Sequence, residues 1–86
     1  MVYIKKFSLK DCEMNKEYLV SKLIGDDALI KHITELGFTN GTPIVILNKT
    51  KQGIIVKIRD SKLALGYDIA KNIVVCDLSN ILDMQR

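Results

Sequence analysis

The most reactive side chains of this chain are two cysteines, Cys12 and Cys76, and a single histidine, His32. Thiols and imidazoles are the usual ligands of zinc and similar metals, and a cysteine beside a histidine can act as a nucleophile. Both chemistries are signalled in a sequence by close spacing, such as Cys-x-x-Cys, and these three residues lie far apart. We therefore predict no metal site, no cofactor and no catalytic residue.

Two other features carry chemistry in many proteins but have a structural explanation here. Asp26 and Asp27 are adjacent carboxylates, yet they precede a predicted helix, where carboxylates cap the chain and interact favourably with the helix dipole. Gly25 and the Asn40-Gly41 pair are isolated and do not belong to a glycine-rich phosphate loop. These features predict a protein that is not an enzyme.

The composition is that of one small globular domain, predicted over residues 1–86 with its core in about residues 9–77. Hydrophobic residues make up 48% of the 86, and 13 basic and 10 acidic residues give a net charge of +3. That excess is mild and unclustered, so nucleic acid is not a predicted partner. There is no apolar run of about 18 residues and no apolar signal-peptide core. The expectation is a cytoplasmic protein without membrane insertion.

One α-helix is predicted over residues 28–36, where apolar side chains recur at helical spacing. Asp26 suits its N-cap, and Gly37 stands where helices often end in a left-handed residue. Phe38 follows directly and can fold back over the last turn. Further on, Tyr67 begins a predicted single helical turn over residues 67–71.

Short runs of alternating apolar residues predict strands. They cover residues 17–24, 44–48, 54–59, 62–65 and 72–77, with tight turns at Asn15, residues 39–43, residues 51–53 and Asp60-Ser61. Residues 2–9 are expected to form an edge strand or a covering arm, and residues 78–86 have helical character without an assigned role. The predicted fold is mainly β: a small barrel of about five strands with one α-helix across one end.

The order of four short motifs is more specific than any one of them. They are Ile33, Leu36, Gly37 and Phe38; then Gly41-Thr42; then Leu63, Ala64, Leu65 and Gly66; and finally Ala70, Ile73 and Val75. In this order and spacing the chain resembles the ferrous iron transport protein A (FeoA) family over about residues 9–77. It departs from the family pattern at Asn15, where glycine is frequent, and at His32, where arginine is favoured.

The resemblance implies an SH3-like barrel and a cytosolic, non-enzymatic accessory of ferrous iron uptake. Its implied partner is the membrane ferrous iron transporter, which carries a cytosolic GTPase domain. The alternative is a regulatory domain that responds to a transition metal, like the SH3-like domain fused to metal-dependent repressors. Nucleic-acid binding is disfavoured by the mild charge and few aromatic residues, and weak self-association stays open.

The predicted docking surface is the outward face of the helix together with the residue beyond its C-terminus. It consists of Lys31, His32, Thr34, Glu35 and Phe38. If the basic residue of the helix contacts the partner, the contact weakens as pH rises and His32 loses its charge. In the alternative, Phe38 belongs to the core and the other four are simply solvated.

Overall fold

The structure is a computed structural model, and it describes residues 6–77. Its strands are β1 (Lys6–Ser8), β2 (Glu17–Leu23), β3 (Pro43–Lys49), β4 (Gly53–Ile58), β5 (Ser61–Gly66) and β6 (Ile73–Asp77). Its helices are a 3-10 turn (Leu9–Asp11), α1 (Asp27–Glu35) and α2 (Tyr67–Ala70). Residues 2–5 of the predicted N-terminal segment and the whole predicted tail, residues 78–86, lie outside the described residues.

The six strands form one antiparallel sheet in the order β1-β6-β2-β3-β4-β5. The prediction of a mainly β domain with one principal helix is confirmed. The described residues form six strands rather than about five, because the short β1 adds to β6. Within residues 6–77 no ladder joins β1 to β5, so the sheet is open at those two edges rather than closed as expected.

The core lies inside the curve of the sheet and under α1. Its largest fully buried side chains are Tyr18, Phe38, Leu9, Ile33, Ile44, Ile46, Ile54, Ile73, Val20, Val56, Val75 and Cys12. Most of them alternate along their strands with more exposed neighbours, which is the period of two that the sequence shows. Burial of this set is the main source of stability, at about 25 cal/mol per Å² of apolar surface.

A bulge in β2 changes which residues face the core. The register of β2 against β6 shifts between Val20 and Lys22, so that the alternation is interrupted at Ser21. The sequence pattern grouped Ile24 with the inward-facing Val20, but Ile24 is 49% exposed. Leu23 instead packs partly against the core. The extra residue of a bulge reverses the side-chain parity beyond it.

Two turns contain a non-glycine residue with left-handed backbone. The sequence predicts the first, at Asn15, and does not predict the second, at Arg59. Asn15 has φ of 62°, as expected for its short polar side chain. In the β4–β5 hairpin, Ile58 pairs with Ser61, so the turn is Arg59-Asp60, one residue earlier than predicted. Arg59 itself has φ of 56°, which its residue type does not signal.

Residues 9–16 are held against the sheet by polar contacts. The Tyr18 hydroxyl accepts a hydrogen bond from the backbone N–H of Glu13 at 2.9 Å, and Lys16 Nζ lies 2.7 Å from Asp77 Oδ2. The hydrogen bond between Lys16 and Asp77 raises the pKa of Lys16. Burial raises the pKa of the Cys12 thiol to about 12 and also raises the pKa of Tyr18.

Candidate functional site

Helix α1 is fixed at both ends by contacts that its sequence predicts. At its start, the Asp26 side chain accepts a hydrogen bond from the N–H of Leu29 at 2.8 Å, which confirms Asp26 as the N-cap. At its end, Gly37 has φ of 113°, a conformation that disfavours any residue with a Cβ. Ile33 anchors the helix in the core with no exposed surface.

The turn after the helix is bound tightly to β2. The N–H of Gly41 donates to the carbonyl of Val20 at 2.7 Å, and the N–H of Val20 donates to the carbonyl of Thr42 at 2.9 Å. The hydroxyls of Thr39 and Thr42 are 2.7 Å apart and share a hydrogen bond. The Gly-Thr motif therefore holds the segment after α1 against the sheet and sets the position of the helix.

The structure divides the predicted docking residues into two groups. Lys31, His32, Thr34 and Glu35 are exposed on α1. Phe38 has no exposed surface and belongs to the core, which is the alternative left open by the sequence. Because Gly37 turns the chain back over the helix end, the Phe38 ring is directed inward. Phe38 supports this surface from below.

A shallow depression of about 310 Å³ lies beside this part of α1. It is formed by residues 21–23 of β2, by Ile30 and Thr34 of α1, and by residues 38–40. Of the predicted docking residues, it brings together Thr34 and Phe38. At about 100° per residue around a helix, Lys31 lies about 60° from Thr34, whereas His32 lies about 160° away. His32 thus faces away from the depression.

Sequence analysis missed the contributions of Lys22, Leu23 and Ile30 to this depression. Ile30 could have been found, because it is four residues before Thr34 and shares its side of the helix. The two β2 residues could not, because the bulge that turns them toward the helix has no signature in their residue types. An interrupted alternation is visible only once the partner strand is known.

The residues with metal-binding side chains do not converge in the part of the chain that the structure describes. No group of three or more His, Cys, Asp or Glu residues in that part could hold a metal ion. Cys12 is buried directly after the 3-10 turn, Cys76 is half-buried on β6, and His32 is exposed on α1. Across residues 6–77, no helix has the length and apolar character needed to span a membrane.

Comparison with known families identifies the fold and its relatives. A family model described as FeoA domain matches residues 7–76. The chain belongs to the FeoA domain family. No match to a curated protein was found. The family is associated with ferrous iron transport and consists of small accessory domains, not of a known class of enzymes.

Two solved structures of FeoA proteins are similar to this one over most of their own length. A FeoA-like protein from Clostridium acetobutylicum is 26% identical with a TM-score of 0.77, covering 86% of this chain and 88% of its own. The zinc complex of FeoA from Stenotrophomonas maltophilia, described as a prokaryotic SH3 domain protein, is 21% identical with a TM-score of 0.71. That match covers 86% of this chain and 93% of its own. The predicted SH3-like fold is thus confirmed.

Part of a repressor has a similar fold. A manganese-dependent transcriptional repressor is 19% identical with a TM-score of 0.79, covering 87% of this chain but only 43% of its own length. At this identity the match shows a common fold alone. The same fold therefore occurs in FeoA proteins and in part of a repressor.

Proposed function

We propose that this protein is a small, non-enzymatic, cytoplasmic accessory of ferrous iron uptake that binds the cytosolic GTPase region of the membrane ferrous iron transporter. The observation that carries the proposal is the match of the FeoA domain model to residues 7–76. A family of accessory domains acts through its surfaces, so the question becomes which surface meets the transporter.

The depression beside α1 and the exposed residues around it have a composition that suits a docking surface. Protein interfaces usually combine an apolar centre with a polar rim. Here Leu23 and Ile30 supply apolar surface above the buried Phe38, while Lys22 and Thr34 stand at the margin. A depression of this size accepts one or two apolar side chains of a partner. Around the helix Lys31 lies about 60° from Thr34 and Glu35 about 100°, so Lys31 is closer to the depression than Glu35 is.

The proposal is tested by titrating the isolated cytosolic GTPase domain of the cognate transporter with this protein. Lys31→Glu reverses a charge near the depression, and Thr34→Arg fills part of it. Each is expected to weaken binding about tenfold, which corresponds to about 1.4 kcal/mol. Lys51→Glu is the matched control, because Lys51 is an exposed lysine on the β3–β4 hairpin and the charge change is the same.

The variants separate two kinds of failure. If wild-type protein does not bind the GTPase domain or the full transporter at high micromolar concentration, the proposed function is wrong. If it binds and Lys31→Glu, Thr34→Arg and Lys51→Glu all leave the affinity unchanged, the function stands and this surface is not the docking site. His32→Glu is a second control, placed on the helix itself. Because His32 faces away from the depression, this variant should leave the affinity unchanged.

The second candidate is a regulatory domain that binds a transition metal directly. The resemblance to the manganese-dependent repressor and the zinc complex of the Stenotrophomonas protein favour it. Calorimetric titration with Fe²⁺, Mn²⁺ or Zn²⁺ under reducing, oxygen-free conditions distinguishes the two. A saturable stoichiometric signal supports metal sensing, and its absence leaves the accessory function as the better account.

A further inference from the structure

The outer edge of β5 carries backbone groups that the sheet does not use. In the β4–β5 hairpin, Ile58 and Ser61 flank a two-residue turn and therefore exchange backbone hydrogen bonds. Such pairs alternate along an antiparallel ladder, so Leu63 is also bonded to β4, whereas Lys62 and Ala64 point their N–H and C=O groups the other way. Within residues 6–77 those groups have no hydrogen-bond partner.

The core is also incompletely covered at this edge. Leu63 on β5 pairs with Val56 on β4, and both side chains face inward. Val56 has no exposed surface, but Leu63 is only partly buried. In the described part of the chain no strand pairs with the outer edge of β5, and Leu63 keeps part of its surface exposed. One more strand would cover Leu63.

The outward face of the same edge is basic. Lys57 and Lys62 are directly opposed on β4 and β5, and both are exposed. Like charges across a strand pair are unfavourable, so an acidic side chain on a neighbouring strand would relieve their repulsion. Arg59 extends the positive charge at the turn, where Asp60 is the adjacent acidic residue.

We propose that the free edge of β5 binds an extended segment of a partner protein as a seventh strand. The segment alternates apolar side chains, which cover Leu63, with acidic side chains, which face Lys62 and Lys57. Backbone hydrogen bonds to Lys62 and Ala64 supply affinity, and the alternating side chains supply specificity. A second copy of this chain is a poorer occupant, because pairing two β5 strands adds more lysines to a basic face and edge lysines oppose such pairing.

The probe is a synthetic nine-residue peptide in which glutamate and valine alternate, compared with one in which lysine replaces glutamate. Each peptide is titrated into the full-length protein labelled with ¹⁵N, at low salt. The glutamate peptide is expected to bind at least tenfold more tightly. It should shift the amide signals of residues 61–65 and slow hydrogen exchange at Lys62 and Ala64.

Two variants test the contacts separately, with Lys51→Glu as the control of equal charge change. Ala64→Pro removes a free N–H without removing a bond to β4, and proline is tolerated where an edge N–H faces solvent. It should reduce binding of the glutamate peptide at least tenfold. Lys62→Glu leaves the backbone unchanged and should reduce binding of the glutamate peptide about fivefold. If the circular dichroism spectrum shows that Ala64→Pro does not fold, Lys62→Glu alone tests the proposal.

Three results would overturn the proposal. The first is equal binding of the glutamate and lysine peptides. The second is a binding surface that maps away from β5 or is insensitive to Lys62→Glu. The third is slow exchange at Lys62 and Ala64 without peptide, together with a dimer in sedimentation, which would identify a second copy as the occupant. The proposal does not depend on the α1 surface, and K31E should leave peptide binding unchanged.

Discussion

Replacing Gly53 by alanine is expected to separate the start of β4 from the end of β5. Gly53 pairs with Gly66, so two residues without side chains face each other. A methyl group on Gly53 would lie 3.0 Å from the carbonyl carbon of Leu65 and 3.2 Å from the Cα of Gly66, and it would overlap the Leu65 oxygen. These are backbone atoms, so the clash cannot be relieved by rotating a side chain.

The loss of stability in Gly53→Ala can be worked out from the contacts that are disturbed when β4 and β5 move apart. The neighbouring pair, Ile54 and Leu65, exchanges two backbone hydrogen bonds, each worth about 1 kcal/mol. Displacing the strands also strains the packing of these two buried residues, which adds about 1 kcal/mol or more. We therefore expect Gly53→Ala to lower the free energy of unfolding by about 3 kcal/mol, a large share of the total for a domain of this size.

Urea denaturation followed by far-ultraviolet circular dichroism measures this loss. Gly41→Ala is the control, because Gly41 has φ of 86° but no heavy atom lies within 4 Å of the added methyl. That variant should lose only the conformational cost of about 1–2 kcal/mol. A Gly53→Ala protein within about 0.5 kcal/mol of wild type, or one less affected than Gly41→Ala, would refute the close-approach argument.

Three further predictions concern α1 and the residues near the N-terminus. Asp26→Ala removes the N-cap and should lower the free energy of unfolding by about 1 kcal/mol, measured in urea. Burial raises the pKa of Cys12 to about 12, so native protein at pH 8 should react with iodoacetamide first at the half-buried Cys76. Mass spectrometry of the labelled protein measures the order of reaction, and faster labelling of Cys12 would contradict this prediction. The pKa of Lys16 is raised by Asp77, so its contribution to stability is complete below the unfolded-state pKa and is lost as pH rises through the folded one. Lys16→Met should therefore flatten part of the alkaline loss of stability, and an unchanged pH profile would count against the contact.

Local signals were sufficient for α1 and its position. The Asp26 cap, the apolar stripe and Gly37 each act within a few residues, so the sequence alone predicts the helix to within one residue at either end. The Gly-Thr turn was also predicted as a turn. Its second role, binding Val20 of β2, depends on a strand that lies far back in the sequence.

Features that depend on strand pairing could not be predicted. The bulge after Val20 moves Ile24 outward and Leu23 toward the core, although both are ordinary apolar residues. The left-handed Arg59 is set by the register of β4 against β5 rather than by its own preference. For the predicted docking surface, the exposure of the four α1 residues followed from helical periodicity. The inward direction of Phe38 needed the path of the chain after Gly37.

The residues that place this chain in its family are mostly structural, and this limits what the family pattern can say about function. Of the motif residues, six are no more than 5% exposed: Ile33, Phe38, Leu65, Ala70, Ile73 and Val75. Gly37 and Gly41 are required by positive φ. A partner cannot contact buried side chains, so these motifs specify the fold and not the choice of partner. We therefore expect the choice of partner to depend on exposed positions outside the motifs, and we propose Lys31 on α1 and Lys62 on β5 as two of them. A change of function within this fold therefore needs only substitutions that leave the core intact.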